Sequence, residues 1–270
     1  MHDLNAYHAA ETPQPTWSPS LLPNQPGRRN RGQFSRHAWL PALASPYVIA
    51  EDVLLPSECQ DLIAKFDQQQ AYPVGVDGYT DSTLGVGSWR VQAWAPQIAE
   101  QLKNAFWLLP DELEASDGEL HDPEQVFPHF GAPMTLPPRL GRLGSTPWLR
   151  FMRYVGGGQH VPHYDSAFIN EPERYITLFS WVLYLNDIPT SDGGGFQFID
   201  DGQRDPPRGR GKSAFEDWMR MAEPREVLDT IQPVAGRMLI FPHWLCHQVQ
   251  AFTGAGARYI IRGDLAYGMR

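Results

Sequence analysis

Hydrophobic positions in the first third of the chain recur at helical spacing. Leu62, Ile63 and Phe66 form an apolar stripe after Pro56, and Ser57 with Gln60 gives a capping-box pattern, so a helix is predicted over 57–70. Ile98, Leu102, Ala105 and Phe106 repeat that spacing behind a proline and predict a second helix over 96–107. From Trp148 the texture changes. Short runs rich in aromatic and β-branched residues, at 148–155, 175–185, 195–199, 237–241, 246–251 and 258–265, are separated by glycine-bearing turns. That is the strand signature, and its close succession predicts a β sandwich or barrel. The fold class expected is mainly β with flanking helices.

The remaining stretches punctuate this pattern. Residues 1–45 carry closely spaced prolines, Pro13, Pro15, Pro19, Pro23 and Pro26, and read as an extended arm rather than a packed element. Residues 111–143 lack a period and read as loop, and 200–232 as an insertion between strands that covers a site, with a short helix over 215–221. The organisation expected is therefore an arm over 1–45 and one domain over 46–270. Within it, a helical part spans 46–147 and a β core 148–270, with 200–232 as a lid.

Composition narrows the function classes. Of the residues, 42% are hydrophobic and 20% charged, which excludes bulk disorder. Net charge is −9, and the one arginine cluster, Arg28, Arg29 and Arg31, lies in the Pro-rich arm, so no nucleic-acid partner is expected. Apolar runs such as 181–185 and 238–241 are far below the ~18 residues of a membrane span, and no signal-peptide stretch opens the chain. Two cysteines, Cys59 and Cys246, make no disulfide framework. A soluble cytoplasmic protein, away from membranes, is expected.

The chemistry concentrates in Arg153-Tyr154-Val155-Gly156-Gly157-Gly158-Gln159-His160-Val161-Pro162-His163-Tyr164-Asp165. On an extended backbone His163 and Asp165 point the same way and can share one metal ion. A third ligand must come from elsewhere; His247 supplies it, with His243, four residues earlier, as its rival. Two imidazoles and one carboxylate on one face of a metal form the facial triad of non-haem Fe(II) oxygenases, whereas zinc is more often held tetrahedrally. Strand alternation puts His160 on the face opposite His163.

The stretch 148–268 resembles the 2-oxoglutarate and Fe(II)-dependent dioxygenases, and among them the prolyl 4-hydroxylase-like group. The Arg-Tyr, glycine and His-Tyr-Asp run carries the resemblance, together with Tyr184-Leu185-Asn186 followed by Gly193-Gly194-Gly195-Phe196. So do the 233–241 run that precedes His247, and Arg258 eleven positions after that histidine. Ser57-Glu58-Cys59 is similar to the turn that opens the family's first helix. The resemblance implies a double-stranded β-helix (a jelly-roll, cupin-like core), and Fe(II), 2-oxoglutarate and O2 as cofactor and cosubstrates. It implies His163, Asp165 and His247 as catalytic metal ligands, selecting His247 over His243. Asp165 stands where related halogenases carry Gly or Ala, which points to hydroxylation or a related oxidation.

The resemblance further implies a basic anchor for the distal carboxylate of 2-oxoglutarate, a role that suits a guanidinium fork. Arg258 is placed ahead of Arg262, four residues on and on the same strand face, and both stay open here. Tyr154 and Tyr184 resemble the tyrosines that line this pocket. Arg150 and Gln197 are expected to face the same cavity, and Trp89 and Arg90 to lie at its entrance, as candidate substrate contacts. The activity implied is hydroxylation of an unactivated C–H bond of a small amino-acid-derived metabolite in a biosynthetic pathway, with 2-oxoglutarate decarboxylated to succinate. The alternatives are peptidyl-prolyl hydroxylation, a cupin-like binding protein without redox turnover, and a zinc hydrolase.

Overall fold

The computed structural model describes residues 33–40, 45–74, 87–103, 112–114, 139–165, 168–170, 174–200, 220–243 and 245–269. Among the described residues fifteen strands and two α-helices follow in chain order: β1 (Gln33–Leu40), β2 (Ser45–Glu51), α1 (Pro56–Asp67), β3 (Tyr72–Val74), β4 (Ser88–Trp94) and α2 (Pro96–Gln101). Then come β5 (Glu112–Glu114), β6 (Arg139–Ser145), β7 (Trp148–Tyr154), β8 (His160–His163), β9 (Ile169–Asn170) and β10 (Tyr175–Tyr184). The last five are β11 (Phe196–Ile199), β12 (Val227–Ile231), β13 (Met238–Pro242), β14 (His247–Val249) and β15 (Arg258–Met269).

The strands form two antiparallel sheets. The larger has eleven strands, with the path β1-β2-β13-β10-β15-β7-β4-β3, and β5, β6 and β9 attached at its side. The smaller runs β12-β11-β14-β8. Together they make the double-stranded β-helix. Alternation divides the large sheet's side chains between two cores. Leu149, Phe151, Trp181, Leu183, Ile261 and Leu265 pack outward against Leu62 and Phe66 of α1. Met152, Tyr154, Val182, Tyr184, Leu239 and Ile260 pack inward against Phe196, Phe198 and Val249 of the small sheet.

The first helix starts at Pro56, one residue earlier than the capping-box spacing predicts. Glu58, rather than Gln60, reaches back, its Oε2 accepting from the Leu55 N–H at 2.8 Å. It ends at Asp67, and the second helix stops at Gln101, with residues beyond Lys103 outside those described. The expected loop at 111–143 contributes two strands, β5 and the start of β6, which pair with each other while β6 also pairs with β15. The expected arm likewise supplies a strand, because β1 pairs with β2 along its whole length. Within the expected lid, β12 is an edge strand of the small sheet, and the helix expected over 215–221 lies almost wholly outside the described residues. Among the described residues no helix is long and apolar enough to cross a membrane, and both cysteines are buried free thiols.

Candidate active site

Pairing of β8 with β14 sets His247 directly opposite His163, so both imidazoles emerge on the face that looks into the barrel, their ring centroids 4.2 Å apart. Asp165 follows two residues after His163. Its Oδ1 lies 3.9 Å from His163 Nε2 and its Oδ2 3.8 Å from His247 Nε2. The three ligand atoms all fall within 4.8 Å of one another, which makes this the one such cluster among the described residues. Each histidine presses Nδ1 against a carbonyl at 2.8 Å, Val161 O for His163 and Leu245 O for His247. Such a contact requires a donor at Nδ1 and leaves a lone pair at Nε2, aimed at the carboxylate.

The electrostatics match that assignment. Burial and the neighbouring His163 push the His247 pKa down to about 3, with Phe196 stacked on the ring at 4.9 Å and Phe241 edge-on at 4.8 Å. Burial also lowers His163. For Asp165, burial acts to raise the pKa, but the charge of Arg262 and the two triad histidines outweigh it and hold the carboxyl well below the usual range. Two neutral imidazoles and one carboxylate are thus prepared for a divalent cation, and the donor set suits ferrous iron.

Of the two further histidines weighed against the triad, only His160 departs from the sequence expectation. His243 is buried, its Nε2 3.5 Å from Asp264 Oδ1, and stands outside the cluster. His160 does not turn away from His163: their rings lie 3.9 Å apart. A one-residue irregularity in the β8–β14 pairing is the cause. Val249, whose side chain is in the inner core, sits opposite His160 and draws it to the inner side.

Deeper in the barrel is a second unusual feature. Arg258 is 0% exposed, and none of its three guanidinium nitrogens has a hydrogen-bond partner. It is sandwiched by aromatic faces, its Cζ 4.7 Å from the Tyr154 ring and 5.6 Å from the Tyr184 ring. The Tyr184 hydroxyl is likewise buried without a partner, and burial, tempered by Arg258, pushes its pKa up to about 12, so it stays a neutral donor. The Tyr154 hydroxyl instead points at Met152 Sδ, 3.7 Å away. A buried cation without a counter-charge is costly, and a guanidinium so placed suits an anion with several acceptor oxygens. A dicarboxylate cosubstrate meets that description.

Two neighbours shape this chamber. Asn186 clamps the backbone on either side of Arg258, its Nδ2 donating to Ala257 O and its Oδ1 accepting from the Tyr259 N–H, both at 2.8 Å. Gly194 lies against the arginine with φ +68°, and a Cβ there would stand 3.0 Å from Arg258 Cδ. Arg262 sits elsewhere. Its Nη2 contacts Asp165 Oδ1 and donates to Ser180 Oγ at 3.2 Å, while Ser180 Oγ–H donates to Asp165 Oδ2 at 2.5 Å.

Of the four candidate substrate contacts, Arg150 and Arg90 are on the barrel's inner face and Gln197 and Trp89 are not. Arg150 lies opposite Arg262 on β15 and pairs with Asp264 at 3.3 Å. Arg90 lies opposite Met152, a residue of the inner core. Gln197 alternates with Phe196 and Phe198, and because those two point inward it points out, bonded to Gln248 at 2.7 Å and Thr230 at 3.2 Å. Trp89 shares the outer face of Val91 and Ala93 and packs on Arg153, whose Cζ is 5.8 Å from its ring. Ser180 and Asp264, which help organise the site, are not evident in the sequence, and Asn186 enters it only as part of the Tyr184-Leu185-Asn186 run. The one available signal was strand parity, since Asp264 follows Arg258 and Arg262 on one face of β15.

Residues 149–263 match the family model described as the 2OG-Fe(II) oxygenase superfamily. This region belongs to that superfamily. The matched region is therefore that of an oxygenase that uses Fe(II), 2-oxoglutarate and O2. The chain is similar to a prolyl-4-hydroxylase from Pseudomonas putida, at 16% identity over 86% of this chain and 97% of that one, with a TM-score of 0.44. It is also similar to HygX from Streptomyces hygroscopicus with nickel and 2-oxoglutarate bound, at 12% identity over 83% of each chain and a TM-score of 0.47. A third similar structure is SnoN, an alpha-ketoglutarate-dependent epimerase from nogalamycin biosynthesis, at 14% identity over 83% of this chain and 78% of that one, TM-score 0.49. No curated protein matches the oxygenase.

Proposed function

We propose that the oxygenase hydroxylates an unactivated C–H bond of a small amino-acid-derived metabolite in a cytoplasmic biosynthetic pathway. In this reading His163, Asp165 and His247 hold the iron, and Arg258 binds the distal carboxylate of 2-oxoglutarate, with Tyr184 donating to it and Tyr154 packing alongside. The observation that carries it is one barrel enclosing both a cluster of two neutral imidazoles and one carboxylate and a fully buried, unpartnered guanidinium. The bound iron and cosubstrate supply the oxidising power, through decarboxylation of 2-oxoglutarate to succinate.

The chain's own residues do the positioning. Carbonyl contacts at Val161 and Leu245 fix both imidazole tautomers. Ser180 and Arg262 each engage one oxygen of Asp165, which holds the carboxylate plane still. The Asn186 clamp sets the height of Arg258 in the barrel, and the aromatic walls formed by Phe196, Phe241 and Tyr184 keep water from the reacting carbon.

The test is a 2-oxoglutarate consumption assay on the iron-loaded enzyme with two panels, amino-acid-derived small molecules and prolyl peptides, each product followed by mass spectrometry. Succinate formation coupled to a +16 Da product from the small-molecule panel, absent in His247→Ala, is the expected result. Coupled turnover with prolyl peptides alone would replace the metabolite reading with peptidyl-prolyl hydroxylation.

A further inference from the structure

Beside the triad, the inner face of β4, β7 and β15 carries more positive charge than the site has so far used. Four guanidiniums, Arg90, Arg150, Arg258 and Arg262, share that face with two carboxylates, Asp165 and Asp264. A divalent iron and a doubly charged 2-oxoglutarate cancel one another, so loading the enzyme leaves the excess of positive charge in place. The four arginines are not equivalent. Arg262 is committed to Asp165 and Ser180, and Arg258 lies in the closed chamber between two tyrosines. Arg150 is half committed, with Nη1 3.3 Å from Asp264 Oδ2 and its side chain 27% exposed.

Arg90 has no carboxylate in ion-pair contact among the described residues, and its Nε is buried without a partner. Opposite it on β3, the Tyr72 hydroxyl is also buried and unpartnered. Gln92 stands between Arg90 and the strand end and opposite Arg150, so Arg90 and Arg150 are diagonal neighbours across β4 and β7. Like charges so placed repel, and burial together with Arg150 and Arg262 weakens the hold of Arg90 on its proton. Two residues nearer the strand ends than the Gln92–Arg150 pair, Trp94 and Trp148 meet edge to face at 5.5 Å, 43% and 39% exposed, and form an aromatic rim on the same inner face. The row is continuous with the triad, because Arg150 reaches Asp264, Asp264 reaches Ser180, and Ser180 donates to Asp165.

We propose that Arg90 and Arg150 form an anion-recognition site for the substrate, binding a carboxylate or phosphate group while the Trp94–Trp148 rim covers the substrate's apolar body. This rests on the oxygenase reading above and narrows its substrate class to anions. A planar fork matches either oxyanion bidentately, and the unpartnered donors of Arg90 and Tyr72 supply the hydrogen bonds that a neutral substrate would leave unmet.

The test uses the anaerobic Fe(II)–2-oxoglutarate complex of the full chain, so that the cosubstrate chamber is already filled. Three probes are titrated by calorimetry: phenylacetate, phenyl phosphate and neutral phenylacetamide. Saturable binding of an anion is expected, with phenylacetamide at least about tenfold weaker, the scale of one charge-assisted hydrogen bond. Arg90→Gln and Arg150→Gln should each weaken the preferred anion about ten- to hundredfold, and Arg90→Lys less. The visible band of the iron chelate and the melting temperature, read first on every variant, show that each is folded and loaded. Preference between the two anions identifies carboxylate or phosphate. Binding of neither anion, equal binding of the amide, or full affinity in the glutamine variants overturns the proposal. A missing chelate band in the wild-type protein would strike instead at the iron and 2-oxoglutarate assignments.

Discussion

Arg258→Met exchanges a buried, unpartnered charge for an apolar side chain of similar length, and its consequence should change sign with cosubstrate. Without 2-oxoglutarate, the wild-type guanidinium forgoes hydration and has only two aromatic faces in return. Burying such a charge costs several kcal/mol, against which desolvated cation–π contacts return about 2 kcal/mol each. The methionine variant should therefore be as stable as the wild type without cosubstrate, or more stable by about 1–4 kcal/mol, the range seen when buried ions give way to apolar packing. A gain of that kind raises the melting temperature by ~2–4 °C per kcal/mol. With metal and 2-oxoglutarate at a hundredfold excess over Kd, the wild type gains about 2.7 kcal/mol. The variant, lacking the fork, gains almost nothing, so the order of stabilities reverses. Thermal unfolding with Ni(II) as a redox-inert metal, with and without 2-oxoglutarate, reads both halves. A variant that is more than about 2 kcal/mol less stable without cosubstrate, which is the scale of core disruption, would refute the reasoning. So would an undiminished 2-oxoglutarate shift.

Three further outcomes follow from single features of the site and fold. The folded-state pKa values of His163 and His247 are depressed, the latter to about 3, so the metal-free protein's stability from these groups is full above the unfolded value of 6.5 and is lost as pH falls from there toward 3. Urea unfolding midpoints should drop across that window, and His247→Phe should flatten the dependence; an unchanged profile would show that the ring is not buried neutral. Gly236 has φ +80°, and a Cβ there would lie 2.3 Å from Leu54 O, so Gly236→Ala should cost about 1–3 kcal/mol by chemical denaturation, and a neutral result would contradict that backbone contact. Gln197→Ala should leave 2-oxoglutarate affinity unchanged in a calorimetric titration of the metal-loaded protein with 2-oxoglutarate, because its amide lies on the outer face of the small sheet; a tenfold loss would place it in the cavity after all.

Periodicity served well where one face of an element alone meets a core. The stripe of Leu62 and Phe66 located α1, and the aromatic runs beginning at Trp148, Tyr175, Phe196 and Arg258 located the strands that carry the site. It failed where pairing rather than burial makes the strand. Arg139–Ser145 is rich in glycine and has no alternation, yet it is held as β6 by β15 on one side and β5 on the other. The same holds for β1 and β12, read from sequence as arm and insertion. Within the site, parity along one strand was informative only when the inward set could be identified. Phe196, Gln197 and Phe198 are all buried, and the choice of which face looks inward depends on the opposing sheet. His160 shows a second limit, since a one-residue irregularity between two strands 84 positions apart leaves no local trace. The contact of Arg262 with Asp165 is long-range in the same way, and only the folded barrel separates its role from that of Arg258.

The assignment of His163, Asp165, His247 and Arg258 to one iron and 2-oxoglutarate site is tested most directly by anaerobic titration of the metal-free protein with Fe(II) and 2-oxoglutarate, followed through the visible charge-transfer absorption of the chelate. The band should saturate at one iron per chain in the wild type, vanish in His163→Ala and His247→Ala, and require far more 2-oxoglutarate in Arg258→Met but not in Arg90→Gln. A band that persists without either histidine, or one that Arg258→Met leaves untouched, would contradict it.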